Sequence, residues 1–267
     1  GDLSGYAENP EYAKSKAFEG FAECCYGSER SIRCNMSKIK VVLWDIDGTI
    51  LDFHPAERYA IKACFEAFDL PRCTDAMVQE YSNINKKYWL AMEQGRITKD
   101  EVLVGRFREF FANQGIDTSL AEKVNAMYQV RLGDGVYFFA DALETVKACK
   151  AAGLLQCAVT NGTKVAQVRK LAKSGLDKIL DYIFISEDVG FEKPSKKFFQ
   201  KVFDRIGDYK PEEILIVGDS LTSDMQGGRD AGIHTCWFNP RGMAKNFPIK
   251  TEYEILNIAQ VKDILGI

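Results

Sequence analysis

The chain has 267 residues, an apolar fraction of 46% and a formal net charge of −3. This length accommodates one large domain or a core with a smaller domain, and the apolar fraction is ordinary for a globular protein. The small net charge argues against a nucleic-acid polymer as partner, because surfaces that bind nucleic acids are basic. No apolar run reaches the length of a membrane span, so no membrane partner is expected either.

Cysteine and histidine usage narrows the kinds of site that the chain can build. None of the eight cysteines forms a Cys-x-x-Cys pair or has a histidine at zinc spacing. Four of them lie in apolar surroundings and are predicted to be buried: Cys64, Cys149, Cys157 and Cys236. Reduced thiols favour a cytoplasmic protein. Because the chain has only two histidines, we expect neither a histidine-based triad nor a histidine-rich metal site.

The N-terminal segment differs in composition from the rest of the chain. Residues 1–35 are polar and lack the apolar core of a signal peptide. Met36 stands just before the first predicted strand and is a candidate native start. We therefore expect residues 1–37 to be an N-terminal extension that is peripheral to catalysis.

The first strong pattern is an apolar run at residues 40–44 that ends in two carboxylates and a turn, namely Asp45, Asp47, Gly48 and Thr49. A run without alternation predicts a strand buried on both faces, which is typical of a parallel sheet. Two carboxylates spaced two residues apart share a face of an extended chain. One could attack an electrophile while the other transfers protons, with a divalent cation between them. The alternative is an acidic loop after a core strand, but the Gly-Thr that follows favours a catalytic site.

Residues 53–132 contain helical patterns and no strand signal. Apolar residues recur at helical spacing, and capping residues mark predicted helix boundaries at Thr98, Gly115 and Ser119. This block interrupts a pattern that otherwise alternates between strands and helices. We therefore predict a helical cap at 53–132, inserted into a catalytic core formed by 38–52 and 133–267.

From residue 140 the chain alternates regularly between strands and helices. The predicted strands are 154–160, 182–186, 214–217, 234–238 and 253–255, and the predicted helices are 142–152, 164–173, 195–206, 223–231 and 258–265. Such alternation predicts a parallel sheet with helices on both faces. The strand before Asp45 is expected at the centre of that sheet.

Polar residues follow several of the predicted strands, where open α/β sheets bind their ligands. Thr160 and Asn161 could form a phosphate cradle from a hydroxyl and main-chain amides at a helix start, although Thr-Asn-Gly alone is a turn signal. Lys193, which precedes Pro194 at another helix start, could hold a phosphate as a point charge. The alternative for Lys193 is one exposed lysine among many.

The last of these strands ends in a further acidic segment. Asp219 comes directly after the predicted strand 214–217 and the glycine that follows it, and it could complete the oxygen ligands of Mg²⁺. Asp224, a little over one helical turn further on, could orient Lys193 or a metal-bound water. The alternative is that these polar residues cap the next helix.

In this order, the four groups of residues resemble the signature motifs of the haloacid dehalogenase-like (HAD) superfamily over nearly all of residues 39–265. The resemblance implies an α/β fold, with a Rossmann-like parallel sheet core and an inserted all-helical cap. It also implies a Mg²⁺-dependent phosphomonoester hydrolase. Asp45 would be the nucleophile that forms an aspartyl-phosphate. Asp47 would protonate the leaving oxygen and then deprotonate the attacking water.

The resemblance also assigns the remaining site residues. The transferring phosphoryl group would be bound by Thr160, Asn161 and Lys193. The magnesium ion would be held by the carboxylates of Asp45 and Asp219 and by the main-chain carbonyl of Asp47. Thr49 and Asp224 would support these groups.

Three other functions are compatible with this fold. A dehalogenase lacks an acid at the second position, so Asp47 favours phosphoryl transfer, in which an alcohol leaving group needs a proton. A phosphomutase shares all four motifs and stays an alternative. A non-catalytic binding or regulatory protein is the alternative from another class, and the intact set of motif residues argues against it.

Substrate choice is expected to lie in the cap. Four cap residues suit a flat, hydrogen-bonding ligand such as a nucleobase: Asn85, Tyr88, Trp89 and Arg106. The run YSNINKKYW at 81–89 resembles the cap of YjjG-type pyrimidine 5′-nucleotidases, which implies pyrimidine nucleoside 5′-monophosphates as substrates. The alternatives are that the aromatic residues only pack the cap and that the enzyme is a broad sugar-phosphate phosphatase. The partner would be a small-molecule phosphomonoester, and the protein a monomer or homodimer.

Overall fold

The computed structural model describes residues 39–267, and the prediction for residues 1–37 lies outside this part of the chain. Six strands form its centre: β1 Val41–Trp44, β2 Leu155–Thr160, β3 Tyr182–Ile185, β4 Ile214–Gly218, β5 His234–Phe238 and β6 Tyr253–Ile255. They pair in parallel in the order β3-β2-β1-β4-β5-β6. The prediction that β1 lies at the centre of the sheet is confirmed.

Ten α-helices accompany the sheet within the described residues. They are α1 Phe53–Ala67, α2 Asp75–Glu93, α3 Lys99–Gln114, α4 Ala121–Asp134, α5 Ala142–Ala151, α6 Lys164–Ser174, α7 Ser186–Val189, α8 Lys196–Ile206, α9 Gln226–Asp230 and α10 Val261–Leu265. The first four follow one another between β1 and β2 with no strand among them. The other six lie before, between or after the later strands.

Two hydrophobic clusters cover the two faces of the sheet. Successive side chains of β1 point to opposite faces, so they belong to the two clusters in turn. Val42 and Trp44 belong to the cluster that includes residues of α5 and α10, whereas Val41 and Leu43 belong to the cluster that includes residues of α8. All four side chains are fully buried. Burial on both faces explains why β1 consists of consecutive apolar residues.

Helices α1 to α4, which we call the cap, share a hydrophobic cluster that also includes Ala166 of α6. Aromatic rings meet in its interior, with centroids 5.0 Å apart for Tyr81 and Phe107 and 5.3 Å apart for Phe107 and Tyr128. The fold is therefore an α/β Rossmann-like core with an inserted all-helical cap. The domain boundaries at 53 and 132 remain a prediction, and α4 itself runs to Asp134.

The structure corrects three local predictions. Ser119 does not cap α4: the Asp117 side chain caps a short 3₁₀ turn, and α4 continues from that turn without a side-chain cap. The strand predicted at 182–186 ends at Ile185, because the chain enters the short helix α7 there. The helix predicted at 223–231 begins earlier, as a π-helical turn over Leu221–Met225, because the Ser220 hydroxyl accepts a hydrogen bond from Ser223.

The cysteine prediction is confirmed within the described residues. Cys64, Cys149, Cys157 and Cys236 are buried and free, and Cys73 is buried as well. Burial raises the pKa of Cys64, Cys149 and Cys157 to about 12, so these thiols stay protonated and unreactive. No helix among residues 39–267 is long and apolar enough to cross a membrane.

Candidate active site

The carboxyl ends of three neighbouring strands bring the predicted site residues together. Asp45 follows β1, Thr160 ends β2 and Asp219 follows β4. Trp44 of β1 is in register with Ala158 of β2 and with Val217 of β4. The three strand ends therefore lie at the same edge of the sheet. The strand order reverses at β1, because β2 and β3 lie on one side of it and β4 to β6 lie on the other. Open α/β sheets bind ligands at such a point.

Lys193 is the central cation of this edge and is only 1% exposed. Its ammonium donates hydrogen bonds to Asp45 Oδ1 at 2.8 Å, to Asp224 Oδ1 at 2.6 Å and to the Val159 carbonyl at 2.7 Å. Burial opposes the charge of Lys193, but Asp224 and Asp45 outweigh this effect and raise its pKa above the ordinary value. Lys193 is therefore a buried, fully paired ammonium, which excludes the interpretation as an exposed lysine.

Hydrogen bonds between loops fix this arrangement. The Asn161 side chain donates to the Lys193 carbonyl and accepts from the Lys193 main-chain N–H, both at 2.8 Å. The Ser220 N–H donates to Asp224 Oδ2 at 3.1 Å, and the Thr49 hydroxyl donates to Asp45 Oδ2 at 3.1 Å. Since the Asn161 side chain is engaged, a contact from Asn161 to a ligand would use its main-chain N–H.

Three carboxylates meet beside Lys193. Asp45, Asp219 and Asp224 each offer an oxygen within 4.8 Å of the others. Loss of water and the neighbouring carboxylates raise the pKa of Asp45 to about 7 and hold the pKa of Asp219 well above its usual range. Asp219 is exposed as a residue, yet protein groups crowd its carboxylate. Oxygen donors that repel one another in this way fit a hard cation such as Mg²⁺.

Gly48 permits the close approach between the turn after β1 and Asp219. It has a φ of 90°, and a Cβ atom at this position would lie 2.5 Å from Asp219 Oδ2. We expect Gly48→Ala to lose activity and to lower the free energy of unfolding by more than the roughly 1–2 kcal/mol of a left-handed alanine. Gly153→Ala is the matched control, because Gly153 has a φ of 78° and no atom within 4 Å of such a Cβ.

Urea unfolding and activity assays on both glycine variants test this prediction. Gly153→Ala should show the backbone cost alone and keep its activity. Equal effects of the two substitutions on stability and activity would contradict the role of Gly48.

Asp47 turns its carboxylate towards helix α6. Gln167 Nε2 donates to Asp47 Oδ2 at 2.6 Å, and the Lys170 ammonium donates to Asp47 Oδ1. Neither Gln167 nor Lys170 was predicted from the sequence to be a site residue. Their spacing of three places them on one helix face, but that pattern does not reveal that Asp47, more than a hundred residues earlier, lies opposite.

The four cap residues predicted to contact substrate do not form one group. Asn85 and Arg106 are 3% and 1% exposed, and the guanidinium donates to Asn85 Oδ1 at 2.7 Å. Asn85 in turn donates to the buried Glu57 at 2.8 Å. Tyr88 packs against the cap cluster, and Trp89 is partly exposed. The positions of Asn85 and Arg106 indicate a polar network inside the cap and do not support direct contact with a substrate.

A cleft of about 640 Å³ lies between the cap and the core and reaches Lys193. Its lining includes Ile97, Lys99 and Leu103 from the cap and Phe191 from the core. None of the four predicted cap residues lines this cleft. A volume of this size is typical of sites for small organic ligands.

Two side chains that were not predicted from the sequence to be site residues fasten the cap to the core beside the site. Glu93 at the end of α2 accepts hydrogen bonds from the hydroxyls of Ser220, at 3.0 Å, and Thr222. Lys99 at the start of α3 donates to the Gly162 carbonyl at 3.2 Å and to Ser186 Oγ at 3.0 Å. These contacts place the α2–α3 connection over the loops that carry Asp219 and Thr160.

Comparison with known proteins identifies the family that has this fold and site. Residues 39–232 match the family model of the haloacid dehalogenase-like hydrolases. The chain belongs to this family. This match confirms the resemblance to the HAD superfamily that the motifs indicate.

Relatives of this HAD-like hydrolase include bacterial proteins that match most of the chain. The HAD-hydrolase YfnB of Bacillus subtilis is 38% identical over 233 residues, which cover 87% of this chain and 97% of YfnB. A crystal structure of YfnB bound to magnesium has a TM-score of 0.80 and covers 86% of this chain and 100% of that one. The pyrimidine 5′-nucleotidase PynA of Streptococcus pneumoniae is 31% identical over 229 residues, covering 85% of this chain and 94% of PynA.

A second nucleotidase matches less of the chain. The pyrimidine 5′-nucleotidase YjjG of Escherichia coli is 29% identical over 187 residues, which cover 66% of this chain and 80% of YjjG. The chain is thus a HAD-like hydrolase whose relatives include two pyrimidine 5′-nucleotidases.

Proposed function

We propose that this HAD-like hydrolase is a Mg²⁺-dependent phosphomonoesterase that acts through an aspartyl-phosphate on Asp45, and that its substrates are pyrimidine nucleoside 5′-monophosphates. The observation that carries the proposal is the contact of Lys193 with both Asp45 and Asp224 at the edge of the sheet, beside Asp219. A paired, oriented carboxylate next to a fixed cation suits attack on a phosphoryl group.

In the first step, a carboxylate oxygen of Asp45 attacks phosphorus and the bond to the ester oxygen breaks. Asp47 donates a proton to that oxygen, so the alcohol leaves neutral. The Lys193 ammonium, the Thr160 hydroxyl and the main-chain N–H of Asn161 stabilise the negative charge on the phosphoryl oxygens. The product on the enzyme is the acyl phosphate of Asp45.

In the second step, water attacks the same phosphorus while Asp47 accepts its proton. The bond between phosphorus and the Asp45 oxygen breaks, which restores the carboxylate and releases inorganic phosphate. Asp47 thus returns to its protonated state, and no external acid or base is consumed.

The carboxylates of Asp45 and Asp219 and the main-chain carbonyl of Asp47 would hold the magnesium ion. Bound there, Mg²⁺ would neutralise charge on the phosphoryl oxygens. The crowding of Asp45, Asp219 and Asp224 supports this assignment, as does the magnesium in the YfnB structure.

Asp219→Asn is expected to raise the Mg²⁺ concentration needed for half-maximal activity by at least about tenfold, since even outer partners of metal ligands contribute that much affinity. Thermal unfolding measured over a Mg²⁺ titration gives a readout that is independent of activity. The wild type should be stabilised by the ion, and the variant should need more of it. Asp230→Asn is the control at an exposed aspartate of the following helix. An unchanged Mg²⁺ response in Asp219→Asn, or full activity of the wild type in excess chelator, would contradict the metal assignment.

The nucleotide part of the proposal rests on two kinds of support. The relatives PynA and YjjG are pyrimidine 5′-nucleotidases. In addition, the cleft beside Lys193 is lined by apolar residues, which include Ile97, Leu103 and Phe191, and by polar residues, which include Thr98 and Glu187. Apolar and aromatic surface beside hydrogen-bonding groups suits a nucleoside leaving group. The hydrogen bonds around Arg106 would then hold the cap helices in position without contacting the substrate.

Phosphate release over a panel of phosphomonoesters tests the substrate proposal. We expect the 5′-monophosphates of uridine and thymidine to have the highest kcat/KM, ahead of purine nucleotides and sugar phosphates. Faster cleavage of sugar phosphates would contradict the nucleotidase assignment and leave the Asp45 mechanism intact. Transfer of labelled phosphate to another sugar position without release would indicate a phosphomutase. No turnover of any ester would favour a non-catalytic protein.

A further inference from the structure

Helix α6 turns a polar face towards Asp47. Gln167 and Lys170 lie on this face, and Thr163 caps the helix just before it. Gln167 donates to one carboxylate oxygen of Asp47 and Lys170 to the other. Both oxygens of the carboxylate are therefore held by donors from a single helix, which restricts rotation of the Asp47 side chain.

The two donors are built into the core of the protein. Gln167 and Lys170 are both 0% exposed, although lysine is almost never fully buried without a partner. The Phe53 ring lies 5.4 Å from the Lys170 ammonium. A buried ammonium requires a counter-charge, and Asp47 is its salt-bridge partner. The Lys170 ammonium therefore depends on Asp47 for its counter-charge, whereas the ammonium of an exposed ion pair can be solvated by water.

The same helix is joined to the polar network inside the cap. The Thr163 hydroxyl donates to Gln129 Oε1 at 2.7 Å, and Gln129 Nε2 donates to Asn125 Oδ1 at 3.0 Å. Arg106 donates to Asn125 at 3.0 Å and to Asn85 at 2.7 Å. These hydrogen bonds fix the start of α6 against the cap and therefore fix the direction in which its polar face points.

We propose that Gln167 and Lys170 are positioning residues that hold the Asp47 carboxylate in the orientation from which it accepts a proton from the attacking water. The inference rests on the proposed phosphatase function, which gives Asp47 that role. Proton transfer requires hydrogen-bond distance and alignment, so a rotating carboxylate transfers less often. Neither side chain lines the cleft beside Lys193. The effect of losing them should therefore appear in kcat while KM stays nearly constant.

Steady-state kinetics on the best nucleotide of the panel test the inference. Lys170→Met should lower kcat about 10- to 100-fold, a part of what a general acid and base contributes. Lys170→Arg should recover part of the loss. Lys173→Met is the matched control, since Lys173 lies on the same helix with an exposed side chain bound to the Asp134 carbonyl at 3.0 Å. It should leave kcat and KM unchanged.

A double-mutant cycle separates positioning from a general structural effect. In the Asp47→Asn background, Lys170→Met should change the residual kcat by less than about threefold, because the group it positions is already lost. An effect as large as in the wild-type background would overturn the inference. If Lys170→Met does not fold, the double-mutant cycle with Asp47→Asn is measured with Gln167→Leu instead.

The outcomes also separate this inference from the proposed function. A wild type that hydrolyses nucleotides, with Lys170→Met and Gln167→Leu as active as Lys173→Met, would overturn the inference alone. A wild type that hydrolyses no phosphomonoester would overturn the proposed function and the inference with it.

Discussion

Asp45→Asn is expected to lower turnover by roughly 10⁴-fold or more, because removing the nucleophile of a covalent mechanism removes the reaction path itself. The amide has nearly the shape of the carboxylate, and Lys193 keeps its second partner, Asp224. The variant should therefore fold. Phosphate release measures the loss, and circular dichroism with urea unfolding checks the fold.

Asp177→Asn is the control for a substitution of the same kind at an exposed site, and it should retain wild-type activity. Residual activity of Asp45→Asn above about one hundredth of the wild type would contradict a nucleophilic role, since removal of a nucleophile costs far more.

Lys193→Met is expected to combine the second largest loss of activity with a loss of stability. Removing the ammonium leaves Asp45 and Asp224 buried without their shared counter-charge, and breaking a buried ion pair costs about 3–5 kcal/mol. It also removes a fixed positive charge next to the phosphoryl group, which should reduce kcat about 10²- to 10³-fold. Urea unfolding and phosphate release measure the two effects separately.

Two further variants sharpen this test. Adding Asp224→Asn to Lys193→Met should restore part of the stability but none of the activity, because it removes one of the two unpaired carboxylates. Lys196→Met, at an exposed lysine three residues further on, should behave like the wild type. A Lys193→Met protein that keeps both its stability and its activity would contradict the central position of Lys193.

The sheet and the main site residues were predictable because both follow from local patterns. The uninterrupted apolar residues of β1 predict burial on both faces, and alternation of strands and helices predicts which strand ends meet. Asp45, Thr160 and Asp219 each come at the end of such a strand, so their proximity follows from topology alone. The order of the motifs then predicted the family, which the comparison with known proteins confirmed.

The contacts between distant elements were not predictable in this way. Lys193 is one of 35 basic residues, and only the fold shows that it is buried between two carboxylates. The contact between Lys170 and Asp47 joins α6 to the turn after β1, and no spacing in the sequence encodes it. Glu93 and Lys99 fasten the cap to the core through loops whose positions depend on tertiary packing.

The cap residues show how a sequence signal can have two meanings. Asn85 lies next to Ile84 and one helical turn after Tyr81, within the apolar stripe of α2. Arg106 directly precedes Phe107 in α3. A polar residue inside an apolar stripe indicates burial as readily as ligand contact. The structure shows burial for both, with hydrogen bonds between them and to Glu57.

Reduction of the enzyme with borohydride, after quenching during turnover of uridine 5′-monophosphate, tests the covalent mechanism most directly. Borohydride converts an acyl phosphate of aspartate to homoserine, which mass spectrometry can locate in the peptide. We predict homoserine in place of Asp45, dependent on substrate and absent in Asp45→Asn. Undiminished turnover without any conversion at Asp45, or with conversion at another aspartate, would contradict the proposed mechanism.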